Sequence, residues 1–204
     1  MPVIRALLFD LCDTVVRTAG VRALTRHSDP AAPVSDAAAE AWFRQDPLHA
    51  AYETGQATTE EFLAGLSRGL RLHLDQEALA RAYAGLVLQE IPGMPELLAG
   101  LRCRYPLFAL SNNNPLLWAE TCRVCTCLDL FERTFLSHQT GLLKPDPRAF
   151  GLVLIAIGRP PAEVALVDDN PACVAQARAL GMAAVHFVDP VQATGELEAL
   201  LAGG

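Results

Sequence analysis

Residues 7–16 read "LLFDLCDTVV", an apolar run that stops at Asp10, with Thr14 four residues further on. A short apolar run bounded by a polar residue fits a strand buried on both faces of a parallel sheet. The end of such a strand would deliver the Asp10 carboxylate to the edge of the sheet. A second carboxylate would be useful two residues later, where a proton must be handled. The chain has Cys12 there and Asp13 one place beyond.

Outward from this stretch the pattern divides in two. From Gly93 onward short apolar runs alternate with helical segments. "PLFAL" (106–110) and "RTFLS" (133–137) read as strands, and helical spacing covers roughly 115–128 between them. The stretch 146–158 reads as a helix with proline in its first turn, and "VALVDD" (164–169) as a strand. A helix ending at Gly181, the strand "AAVHFV" and a terminal helix complete the series. Strands alternating with helices are the signature of βαβ units and a parallel sheet. Residues from about 19 to 90 instead read as helices with no strand between them, the last running through "DQEALARAYAGLVL". Ser35 and Asp75 are candidate caps, and Thr58 with Glu61 makes a capping box. An all-helical block after the first strand predicts a cap over the ligand edge of the sheet, with "IPGMPEL" marking the return to the core. The expected organisation is a core of residues 1–18 and 91–204 and a helical cap of residues 19–90.

Composition narrows the partners. A net charge of −7 over 204 residues argues against nucleic acid, whose phosphates require a basic face. No apolar run approaches the roughly 18 residues that a membrane span needs. The N-terminus has no small-residue cleavage site of a signal peptide, so a cytoplasmic protein without a membrane partner is expected. The six cysteines then do not predict a disulfide framework. Cys122, Cys125 and Cys127 cluster, but no fourth ligand follows at zinc spacing, and they read as small apolar residues on the buried side of a helix. The five histidines show no metal spacing either. Trp42, Phe43 and Tyr52, at helical spacing, read as core of the cap. Of 16 basic side chains only Lys144 is lysine. Lysine differs from arginine most where a compact point charge is needed.

In open parallel sheets ligands bind outside the carboxyl ends of the strands. Asp10, Ser111 with Asn112, and Asp168 with Asp169 stand at three such ends, and Lys144 lies in the loop "GLLKPDP". Each has a task if the reaction is phosphoryl transfer. Asp10 would attack phosphorus and form a covalent aspartyl-phosphate. Asp10, Asp168 and Asp169 would hold Mg²⁺ through hard oxygen ligands, helped by a backbone carbonyl near Cys12. Lys144 would place its charge between nucleophile and phosphate, and Ser111 would donate to a phosphate oxygen. Asn112 would orient the substrate or a loop.

The motifs "FDLCDT", "LSNNN", "GLLKPDP" and "VALVDDN…A…A…LGM" together resemble those of the haloacid dehalogenase superfamily of hydrolases, in the branch with a helical cap after the first strand. Within it, "YETGQATTEEF" (52–62) and "LSNNNPLLW" are similar to a sugar-phosphatase-like branch. The resemblance implies an α/β, Rossmann-like parallel-sheet core with a small inserted helical cap. It implies Mg²⁺, Asp10 as nucleophile, Ser111 and Lys144 serving the phosphate, and Asp168 and Asp169 serving the metal. It also implies a small phosphorylated metabolite as substrate; it gives no oligomeric state.

Cys12 departs from the pattern, because phosphatases of the family carry there the Asp that protonates the leaving alcohol and activates water. A thiol with a pKa near 8.5 substitutes poorly in both roles. Asp13, offset by one, would point elsewhere in an extended chain. General acid–base catalysis contributes about 10² to 10⁴-fold, so a slow enzyme is expected rather than an inactive one. Two alternatives stand beside a phosphatase. A 2-haloacid dehalogenase needs no proton for its leaving halide but gains nothing from the "VDD" pair. A non-catalytic member binding a phosphoryl ligand or a protein has no need of Asp10, Lys144 and Asp168 together. Specificity is expected to lie in cap loops such as 26–35.

Overall fold

A computed structural model describes residues 3–202; residues 1–2 and 203–204 of the expected core lie outside the described residues. The chain opens with β1 (Ala6–Phe9), turns into β2 (Val16–Thr18), and passes through a 3₁₀ segment, Val21–His27. Four helices follow: α1 (Asp36–Gln45), α2 (Pro47–Glu53), α3 (Thr59–Gly69) and α4 (Gln76–Ala84). After β3 (Val87–Glu90) come α5 (Met94–Arg102), β4 (Leu107–Ser111), α6 (Pro115–Val124), β5 (Arg133–Leu136) and the short α7 (Ser137–Thr140). The chain closes with α8 (Pro147–Ile157), β6 (Val164–Asp168), α9 (Pro171–Ala179), β7 (Ala183–His186) and α10 (Pro190–Ala202).

Five strands form one parallel sheet in the order β5-β4-β1-β6-β7. β1 is central and fully buried, and its side chains alternate between two layers. Leu7 and Phe9 pack with Met94 and Leu98 of α5 and Leu197 of α10. Ala6 and Leu8 face Phe150 and Val153 of α8 and Val174 of α9 on the other side. This is the doubly wound α/β arrangement, with helices covering both faces of the sheet.

A third core fills the helical unit between β2 and β3. Phe43, Tyr52, Phe62, Leu66 and Tyr83 meet there, with the Tyr52 and Phe62 rings stacked 4.3 Å apart. Phe43 and Tyr52 are buried as expected for cap core, and Trp42 packs at its margin. Ser35, Thr58 and Asp75 each accept a backbone N–H of the helix that follows, and Glu61 completes the capping box on Thr58.

Three expectations are corrected. The helix expected through "AGLVL" stops at Ala84, and Val87–Glu90 is a strand. It pairs antiparallel with β2 as a two-stranded ribbon where the chain leaves and re-enters the core. α6 ends at Val124 rather than near 128, so the buried Cys125 and Cys127 lie beyond the helix, while Cys122 is exposed on it. Glu90 accepts the Cys127 N–H at 3.0 Å, bringing a carboxylate beside the two thiols. No local spacing pointed to that neighbour.

Candidate active site

Register sets the site. β1 pairs with β6 so that Phe9 lies opposite Val167, and the Asp10 N–H still donates to the Val167 carbonyl at 2.9 Å. The next residue on each strand is therefore an aspartate, and Asp10 and Asp168 emerge side by side. On the other flank Phe9 lies opposite Ala109, which places buried Ser111 at the same carboxyl edge.

Lys144 reaches this edge from the loop before α8. Its Nζ donates to Asp10 Oδ1 and to Asp168 Oδ2, both at 2.6 Å, and all three groups are buried. A buried lysine needs such partners, because an uncompensated charge there costs several kcal/mol. The loop is held by Asn112, whose Nδ2 donates to the Lys144 carbonyl at 2.9 Å and whose Oδ1 accepts the Lys144 N–H at 2.7 Å. Of the two roles expected for Asn112, these bonds are those of loop orientation. The neighbouring asparagines are also structural. Asn114 caps α6 through Oδ1 and donates from Nδ2 to the Tyr83 hydroxyl, tying α4 to the core.

Asp10, Asp168 and Asp169 each offer a carboxylate oxygen within 4.8 Å of the others. Three hard oxygen donors with one ammonium among them leave excess negative charge, a donor set that fits a small divalent cation such as Mg²⁺. The electrostatics point the same way. Burial pushes the Asp10 carboxyl up to about 7, and Asp168 and Asp169 add to this against the opposing Lys144. Asp169 is raised too, by burial and by Asp168. Burial favours the neutral form of Lys144, but Asp10 and Asp168 outweigh it and keep the ammonium charged.

The turn after Asp10 decides what residues 12 and 13 can do. The Leu11 carbonyl accepts the N–H of Val15 and Val16 at 2.8 and 2.9 Å. Asp13 sits in the left-handed region at φ 59°, so its divergence from the site comes from a tight turn rather than from extended alternation. Its two carboxylate oxygens take the Thr18 N–H at 2.9 Å and the Thr18 hydroxyl at 2.7 Å. Asp13 is thus an anchor for β2. The Cys12 thiol is raised well above its ordinary range by burial and by Asp10 and Asp13, so it stays neutral. The Thr14 hydroxyl is buried without a hydrogen-bond partner among the described residues.

Cys12 also lines a cavity of about 290 Å³ between the sheet edge and the helical unit. Thr18, Asn112 and Leu117 share the near side, and Val21, Phe43, Arg44, His49, Glu53, Tyr83 and Leu86 come from the helical unit or its borders. His49 donates from Nδ1 to the Phe43 carbonyl at 2.8 Å, which leaves Nε2 facing Glu53 at 3.6 Å. Burial raises the Glu53 carboxyl, and His49 opposes that shift. His49 and Glu53 are not among the residues expected at the site, and their i,i+4 spacing on α2 is the one signal the sequence offers for the pair. Loop 26–35, expected to carry specificity, does not reach this cavity. Its residues 33–35 line a separate groove of about 640 Å³ with Trp42 and Arg71.

A doubly wound α/β protein with an aspartate–lysine cluster at the carboxyl edge of its sheet is the class so defined. The chain belongs to the haloacid dehalogenase-like hydrolases, whose family model matches residues 4–181. It is 32% identical over 206 residues to the phosphoserine phosphatase of Thermus thermophilus, covering 84% of this chain and 76% of that protein. It is 25% identical to the D-ribitol-5-phosphate phosphatase of Bacteroides thetaiotaomicron, covering 68% of this chain and 70% of the relative. A haloacid dehalogenase family enzyme from the same organism, solved with magnesium and inorganic phosphate, superposes with a TM-score of 0.77. The match is 24% identical and covers 91% of this chain and 95% of the other. The chain is a hydrolase of phosphatase type. Among the described residues no helix is long and apolar enough to cross a membrane.

Proposed function

We propose that the protein is a Mg²⁺-dependent phosphatase of a small phosphorylated metabolite, acting through an aspartyl-phosphate on Asp10. The observation that carries this reading is the Lys144 ammonium lying 2.6 Å from both Asp10 and Asp168, with Asp169 alongside. Asp10, Asp168, Asp169 and the backbone carbonyl of Cys12 would hold the metal. When bound, the ion offsets the repulsion between a carboxylate nucleophile and a phosphate dianion. Lys144 orients Asp10 and adds a fixed positive charge at the place where phosphoryl charge develops. Ser111, at the end of β4, donates to a phosphate oxygen, and Asn112 keeps Lys144 in register.

The dehalogenase alternative is disfavoured by Asp168 and Asp169. A carbon–halogen displacement gains nothing from two further carboxylates beside its nucleophile. The binding-only alternative leaves the Lys144 cluster without a task.

Turnover of an aryl phosphate with Mg²⁺ tests the reading. It is expected to stop on chelation and to fall by about 10⁴-fold or more in Asp10→Asn. Chelator-insensitive halide release from 2-chloropropionate would instead establish the dehalogenase.

A further inference from the structure

Resting on the phosphatase reading, we propose that the substrates are phosphate esters of small apolar alcohols that leave as stabilised oxyanions, the aryl and enol phosphates, and not phosphorylated polyols or amino acids. Two independent features of the site converge on this class.

One is the proton position. Residue 12 is a thiol, and both oxygens of Asp13 are engaged by Thr18. Neither supplies a carboxylic acid to the departing oxygen. Without an acid, a leaving group departs at a useful rate only if its own oxyanion is stable.

The other is the cavity that adjoins Cys12. At about 290 Å³ it lies at the small end of ligand pockets, sized for one ring or a short chain. Val21, Phe43, Leu86 and Leu117 give it apolar walls. Several of its polar side chains are already engaged. Thr18 serves Asp13, Asn112 clasps Lys144, and His49 faces Glu53. Each polyol hydroxyl stripped of water there without a partner would weaken binding by about 5- to 150-fold.

The step balances without a protein acid. Asp10 forms a bond to phosphorus as the phosphorus–alkoxy bond breaks, and the electron pair leaves on the aryl or enol oxygen. Water then attacks phosphorus and frees Asp10. Of its two protons one ends on the released alcohol and the other on the phosphate.

The test compares kcat/KM, which reports every step through departure of the alcohol, across substituted phenyl phosphates, cyclohexyl phosphate and sorbitol 6-phosphate. In the unaltered protein kcat/KM is expected to fall steeply as the phenol becomes more basic. Cyclohexyl phosphate, similar in shape but a poor leaving group, is expected at least about 100-fold below phenyl phosphate. Cys12→Asp is expected to narrow that gap tenfold or more, Cys12→Ser to leave it, and sorbitol 6-phosphate to stay poor in all three. Sorbitol 6-phosphate or cyclohexyl phosphate within tenfold of phenyl phosphate in the unaltered protein would overturn the inference. So would a selective loss of cyclohexyl phosphate turnover in Glu53→Gln, which would place the proton on the helical unit. If no ester shows Asp10-dependent turnover, the phosphatase reading itself fails.

Discussion

Asp13 shows how one residue can look catalytic and be structural. Its neighbour Asp10 ends a buried strand, and its position near Cys12 invites the role of a displaced acid. The left-handed backbone turns it away, and Thr18 occupies both its oxygens. Asp13→Ala is expected to cost about 1–3 kcal/mol, because a half-buried donor pair on Thr18 loses its acceptor. The measurement is chemical denaturation, and an unchanged midpoint would contradict the anchoring role. From the sequence alone Asp10, Ser111, Lys144, Asp168 and Asp169 were legible as candidates, because each is a polar residue at an apolar strand's end or in a proline-marked loop. The partner of Asp13 was not. A turn of φ 59° on a non-glycine residue leaves no spacing signal.

At the scale of elements, the join between helical unit and core is where local pattern gave the wrong answer. "AGLVL" was expected to continue the helix, yet Val87–Glu90 pairs with β2. Tertiary pairing overrode propensity, as it does for short segments of either type. A second join lies just after α2. Gly55 has φ 70°, and a Cβ there would press on the His138 backbone carbonyl next to the Asn113–Ser137 bonds. Gly55→Ala is expected to destabilise by about 2 kcal/mol or more, from left-handed strain plus the clash. It is also expected to raise KM more than it lowers kcat, since it unseats the cavity's far wall and leaves Lys144 in place. Unaltered KM with unaltered thermal stability would contradict that seating.

At the scale of the molecule, the order of the motifs along the chain was enough to predict a parallel sheet with its site at the carboxyl edge. Strand order was not, because nothing local distinguishes β5-β4-β1-β6-β7 from other windings. The cavity was equally hidden. Its walls come from residues 12–21, 43–53, 83–86 and 112–117, segments that only the folded chain brings together. The whole electrostatic balance at this edge makes a prediction about pH. The Asp10 carboxyl, pushed up by burial to about 7, holds a proton below that pH and has lost it above. Metal binding must displace that proton, so apparent Mg²⁺ affinity is expected to fall about tenfold per pH unit below about 7 and to level off above it. Calorimetry in buffers of different ionisation enthalpy measures the proton released. Affinity that rises as pH falls, or binding without proton release at pH 6, would contradict the placement of Asp10 in the metal site.

The central claim is that Asp10 takes the phosphoryl group. With no carboxylate at residue 12 to activate water, the acylphosphate is expected to persist long enough to trap. An acid quench within the first turnovers of an aryl phosphate in the presence of Mg²⁺, followed by peptide mass spectrometry, tests this directly. The predicted result is one phosphoryl group on Asp10, absent after chelation and absent in Asp10→Asn. Sustained Mg²⁺-dependent turnover in Asp10→Asn, or a phosphoryl group on any other residue, would contradict it.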